Sequence, residues 1–174
     1  MRKLRRVVTG HNEQGKSVVL FDDTPPHTAG PAVEIWATDE TPASNRGKAD
    51  ASDRPIRLQP PPRGSLFRYF TIAPESATAA LDEKAHAALV RQMFASIGAE
   101  GVLVDTTRHP AMHRTRTVDY IVLLSGKVTM LLDHGEVDLE PFDTVVQRGT
   151  NHAWVNRGTE PALLVGILID AEAL

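Results

Sequence analysis

The stretch that decides the fold reads Met112-His113-Arg114-Thr115-Arg116-Thr117-Val118-Asp119-Tyr120, then the apolar Ile121 to Leu124 and Gly126. A second block answers it: Gln147-Arg148-Gly149-Thr150-Asn151-His152-Ala153-Trp154-Val155-Asn156. Each block is rich in side chains that ligate metals, and strand-like sequence broken at Asp133-His134-Gly135-Glu136 lies between them. Successive side chains of a strand point to opposite faces, so His113 and Thr115 share a face. A hairpin that carries Asp119 back past them, and a later strand beginning at His152, bring all four side chains into one barrel interior.

In order and spacing these residues resemble the two motifs of the cupin superfamily. The first motif has two histidines one residue apart, an acid four positions after the second, and a glycine seven further on. Those slots hold His113, Thr115, Asp119 and Gly126. The second motif, proline-x-glycine-x-x-histidine-x-x-x-asparagine, is matched by Gly149, His152 and Asn156, with Gln147 in place of the proline. The leading glycines are replaced as well, at Thr107 and around Phe142. The resemblance covers about the C-terminal half of the chain, and it is stronger for fold than for chemistry.

The resemblance implies an all-β protein: a double-stranded β-barrel of the cupin or jelly-roll type, with extra N-terminal strands and one helix. It implies one domain over residues 1–174, with 1–100 supplying strands, a polar loop and the helix, and 101–174 the barrel motifs. It also implies a homodimer. The family holds a metal with three histidines and a glutamate. Here Thr115 replaces one histidine, and Asp119, shorter by a methylene, replaces the glutamate. The set left is His113, Asp119 and His152, two imidazoles and one carboxylate suited to a divalent transition metal (Fe, Mn, Ni or Zn) with open positions. The other reading is a barrel that keeps its two histidines as interior polar groups and binds no metal. Thr115, Trp154 and Asn156 are assigned to the pocket; a packed core tryptophan is the alternative for Trp154. Arg148 is a candidate for an anionic ligand or for solvent. His109 is a candidate acid–base group at the mouth or a loop side chain.

Outward from the motifs, the remaining sequence is strand-like at regular spacing, which suits a sandwich or barrel. Strands are predicted over Leu4 to Thr9, Ser17 to Phe21, Val33 to Thr38, Leu66 to Ile72, Gly101 to Thr106, Asp119 to Leu124, Lys127 to Asp133, Glu136 to Leu139, Thr144 to Gln147, His152 to Asn156 and Ala162 to Asp170. One helix is predicted from Asp82 to Ile97, where Leu89, Val90, Met93, Phe94 and Ile97 recur at helical spacing. Asp39 to Gly64 is polar and rich in Pro, Ser, Asn and Asp, a surface excursion.

Composition narrows the function. With 174 residues the chain is long enough for one sizeable core. A net charge of −3 gives no basic field for nucleic acid. Arg2, Lys3, Arg5 and Arg6 read as a solvated strand end. No cysteine is present, so there is neither a disulfide nor a thiolate ligand or nucleophile. No apolar run is long enough to span a bilayer, and the basic start lacks an apolar signal core, which makes a cytoplasmic protein the expectation. The partner expected is a small molecule. Two function classes remain: a metal-dependent enzyme acting on a small organic metabolite (dioxygenase, isomerase, decarboxylase or dehydratase), or a metal-free module that binds one.

Overall fold

The computed structural model describes residues 4–99 and 101–173; Arg2 and Lys3 lie outside them. The elements run β1 (Arg6–His11), β2 (Ser17–Asp23), β3 (His27–Ala29), β4 (Ala32–Thr38), β5 (Ser65–Ile72), a 3-10 turn at Glu75–Thr78, α1 (Glu83–Ser96), β6 (Thr117–Ser125), β7 (Val128–Leu132), β8 (Glu136–Leu139), β9 (Thr144–Arg148), β10 (His152–Val155) and β11 (Ala162–Asp170). A six-stranded sheet of order β3-β4-β5-β11-β6-β9 packs against a three-stranded sheet of order β10-β7-β8, and β1 and β2 pair separately. All of these pairings are antiparallel. No helix among the described residues is long and apolar enough to cross a membrane.

Period-two alternation sets which side chains face inward. On β6, Thr117, Asp119, Ile121 and Leu123 are buried. Tyr120, at the alternate parity, is exposed. Ile121 and Leu123 join Leu164 and Ala162 of β11 against Val128 and Leu139 of the small sheet, closing an apolar core between the layers. This core fills one end of the interior; toward the other end Thr117 and Asp119 continue the same inward face, beside the buried apolar Leu66 and Leu168.

The β6–β7 turn depends on Gly126, which has φ +83°. A Cβ there would lie 2.7 Å from Ala162 Cα. Left-handed backbone and a backbone clash act together, so Gly126→Ala is expected to destabilise by at least about 2 kcal/mol. Urea denaturation measures this, and a loss below ~0.5 kcal/mol would show that the turn relaxes freely.

Two expectations change. Gly101 to Thr106 is not a strand: residues 102–106 run irregularly. Val102 turns instead into a cluster with Val90, Phe94 and Ala99 beneath the helix, and Asp105 accepts the Thr107 N–H in a turn. Three apolar residues in a row are too few to hold a ladder against that pull. The excursion over residues 39–64 has no regular element but is anchored. The buried Arg6 guanidinium donates to Asp23, Asp50, Ser52 and Ile35 O, so Arg6 is a structural clamp and not a solvated strand end.

Candidate active site in the barrel interior

His113 and His152 meet as an antiparallel bridge. Each backbone N–H donates to the other's carbonyl at 2.9 Å. The bridge sets the imidazoles against each other, with centroids 4.3 Å apart and planes tilted by 45°. Phe94 of α1 lies 4.9 Å from the His113 ring, and Trp154 lies 5.7 Å from the His152 ring. The pair is thus the middle of a file of aromatic rings, with Phe70 next beyond Trp154 at 6.4 Å. Burial in these surroundings disfavours the imidazolium. It lowers the His113 pKa and, with His113 close by, pushes His152 down to about 3.

Protein groups occupy the Nδ1 atom of both rings. His113 Nδ1 lies 2.9 Å from Ala111 O; a carbonyl only accepts, so this nitrogen carries the proton. His152 Nδ1 lies 2.9 Å from Thr150 O and 2.8 Å from Gln147 Nε2. The Gly149 N–H on Gln147 Oε1, at 2.7 Å, fixes that amide's orientation. The Nε2 atoms are what remain for chemistry. Gln147, the residue standing in the proline slot, therefore has a task that a motif comparison hides: it holds His152 in place.

Asp119 occupies a different neighbourhood. It pairs with Gln147 across β9 and with Leu168 across β11. Its carboxyl is buried, and Oδ1 has no hydrogen-bond partner among the described residues. Burial raises its pKa to about 6 against the opposing pull of the Thr117 hydroxyl and the Arg68 guanidinium. Arg68 on β5 and Glu34 on β4 form a buried ion pair on the same inward face, Nη2 to Oε2 at 2.7 Å. Neither residue stands out in a motif search. Their signal is a charged residue at the inward parity of an apolar strand, in Leu66-Phe67-Arg68-Tyr69-Phe70 and in Val33-Glu34-Ile35, and it is legible only once the sheet order is known.

The pocket assignments divide. Thr115 is buried, and its hydroxyl takes the Thr117 hydroxyl at 2.7 Å. Trp154 is partly buried and packs on the apolar core. Asn156 is spent on backbone: Nδ2 donates to Ile72 O and Glu160 O, and Oδ1 accepts the Gly158 N–H. The Asn156 amide thus ties the end of β10 to the segments around Ile72 and Glu160. Arg148 is exposed at the end of β9; with Arg114, Arg116 and Thr115 it lines a cleft of ≈ 280 Å³. His109 lies against Glu75, at 3.6 Å, and His86.

The three expected metal ligands do not form a three-ligand set. Among the described residues no group of three or more His, Asp or Glu side chains is arranged to hold a metal ion. The bridge brings His113 and His152 together. Strand register gives Asp119 to Gln147 and to the field of Arg68, and Thr115, in the missing histidine's slot, is tied to Thr117. Catalytic metal sites commonly take three protein donors; among the described residues the bridge brings two of the expected ones, His113 and His152, together.

No family model matches the chain. Among curated proteins, the cupin-domain-containing oxidoreductase srdD of Neurospora crassa is 28% identical over 99% of this chain and 78% of that protein. The cupin-domain-containing oxidoreductase fogC of Aspergillus ruber is 29% identical over 98% of this chain and 74% of that protein. A shorter match is 43% identical over 65 residues, covering 36% of this chain and 34% of the other protein, the Phomopsin biosynthesis cluster protein D of Diaporthe leptostromiformis.

Proposed function

The chain is a member of the cupin superfamily, and from that premise we propose that it is a barrel enzyme that transforms a small organic compound by proton transfer in the barrel interior. Asp119 is the group that takes and returns the proton. The observation that carries this reading is its buried carboxyl with an unpartnered oxygen and a pKa brought to about 6. A general acid–base group works best when its pKa lies near the operating pH, and perturbed carboxyls cluster at functional sites. The neutral imidazoles of His113 and His152 supply Nε2 atoms that give or accept a hydrogen bond without adding charge. The relatives srdD and fogC are named oxidoreductases; the reading for this chain is confined to the proton transfer.

A second reading, a barrel that only binds its small molecule, is favoured by the packing of Phe94 on His113, which makes the histidine pair part of an apolar file. Deuterium exchange separates the two. In D₂O, with hydroxyacetone as probe, the wild-type protein is expected to incorporate deuterium at carbon next to the carbonyl. Asp119→Asn should slow this by about 10²–10⁴-fold, and added Fe, Mn, Ni or Zn should leave the wild-type rate unchanged. Equal rates for wild type and Asp119→Asn would remove Asp119 from the chemistry; a rate that rises with one metal would restore the metal-dependent reading.

The homodimer is proposed through the outer face of the six-stranded sheet. Val146, Tyr120, Ile167, Phe67 and Trp36 are successive cross-strand neighbours there. The first four are exposed, with Val146 at 60% and Tyr120 at 49%. An apolar row this long on a monomer surface marks an interaction site. Ile167→Lys is expected to halve the mass measured by light scattering; a wild type that is already monomeric at high concentration would end this proposal.

A further inference from the structure

Arg114, Arg116 and Arg148 line one cleft of ≈ 280 Å³ on the outer side of the barrel wall. Alternation running back from β6 puts them there. His113, Thr115 and Thr117 are buried, and Arg114 and Arg116 between them are exposed. On β9, Gln147 is buried, and Arg148 beside it is exposed and registered opposite Val118 of β6. The backbone beneath the three side chains is pinned. The Arg114 N–H donates to Val102 O, Arg116 O accepts the Ala171 N–H, and the Arg116 N–H donates to Gln59 Oε1. Val102 and Gln59 belong to the walls of the same cleft. Like charges gathered on one small surface repel, and they gather here in a chain whose net charge is −3. Glu172 is the acid that lines the cleft among the described residues. Neither it nor any other described carboxylate forms an ion pair with one of the three guanidinium groups. Arg5 and Arg157, exposed as well, each hold a carboxylate at two points.

We propose that this cleft binds the head group of a small organic dianion, a dicarboxylate or a phosphate monoester. A guanidinium presents paired N–H donors that match two oxygens of a carboxylate or a phosphate. Charge sets the preference within that class. One carboxylate among three guanidinium groups leaves two positive charges for the ligand, so a dianion is matched where a monoanion is not. Size sets the other limit. The cleft lies at the small end of the range of roughly 300–1,000 Å³ seen for small-molecule sites, which suits a compact ligand. The basic surface is local, and a chain of net negative charge offers no extended track for nucleic acid. The site is separate from the barrel interior, and it stands whether or not Asp119 transfers protons.

The test titrates the full chain by calorimetry with inorganic phosphate, succinate and acetate at constant ionic strength, so that screening is the same throughout. Phosphate and succinate, as dianions, are expected to bind saturably, and acetate at least tenfold more weakly. Arg114→Gln, Arg116→Gln and Arg148→Gln should each weaken binding about two- to fivefold, the effect of one exposed charge pair. The triple variant should lose at least tenfold. Arg148→Lys keeps the charge without the planar fork and should fall between the wild type and Arg148→Gln. Arg46→Gln, at an exposed position that does not line the cleft, should bind as the wild type does. All of these side chains are exposed, and far-UV circular dichroism verifies that the variants fold. Absence of saturable binding of either dianion at millimolar concentration would overturn the proposal, as would a triple variant that binds like the wild type. An equal loss in Arg46→Gln would overturn it too, by making the attraction a property of the whole surface. Phosphate bound without succinate, or the reverse, upholds the site and names its head group.

Discussion

Arg68→Met is expected to lower the unfolding free energy by about 3–5 kcal/mol, the cost of removing one partner of a buried ion pair. The variant leaves the Glu34 carboxylate, 1% exposed, with no counter-charge, and removes the donor to Arg57 O. The charge has two exits, protonation or local opening, and both cost free energy at neutral pH. Burial already raises the Glu34 pKa, with Arg68 pulling it back, so losing Arg68 pushes the acid further toward its neutral form. The double variant Glu34→Leu/Arg68→Met is expected to recover most of the loss, to within about 1–2 kcal/mol of wild type, because well-packed apolar side chains often replace a buried pair at little cost. Chemical denaturation of the two single variants and the double gives the coupling directly. If the double is as unstable as Arg68→Met, the instability comes from the lost Arg57 contact or from poor packing, and the pair is not what matters.

The barrel was legible in the sequence because alternation is a local signal. The inward parity of Thr117, Asp119, Ile121 and Leu123 follows from counting by two, and the stop at Gly126 follows from its motif slot. The helix was legible for the same reason, its apolar stripe repeating every three or four residues through Val90 and Phe94. What could not be read was anything set by strand order. Arg68 meets Glu34 because β4 and β5 are neighbours, and Asp119 comes into the field of Arg68 because β11 lies between β5 and β6. No spacing along the chain carries that. The ligand slots meet the same limit. Motif slots say which residues occupy ligand positions, but the bridge between His113 and His152, the hold of Gln147 on His152 and the bond from Thr117 to Thr115 decide where the donors point. Gly101 to Thr106 shows the opposite error, a local strand pattern overridden by a tertiary cluster around Val102.

Asp119→Asn is expected to stabilise the protein at neutral and alkaline pH and to lose that advantage in acid. The folded carboxyl has its pKa raised from 3.8 to about 6, so between those values the folded state holds a proton that the unfolded state has released. Stability then falls as pH rises through this window. Above it the wild type carries the full cost of an ionised buried carboxyl, on the order of 2–3 kcal/mol. Asparagine does not titrate. The difference between variant and wild type should therefore be near zero, or slightly unfavourable to the variant, below about pH 4. It should grow through the window and level off above about pH 7. His152 works the other way: its folded pKa is lowered to about 3, so its contribution is present above the ordinary imidazole range and is lost as pH falls. That slope is common to both proteins and cancels in the difference, which is why the comparison, and not either curve alone, reports on Asp119. Urea midpoints at a series of pH values measure it. A constant difference across pH would mean that Asp119 is solvated in the working protein and titrates like a surface acid. A rising difference together with lost deuterium exchange would identify a carboxyl retained at a cost in stability for the reaction it performs.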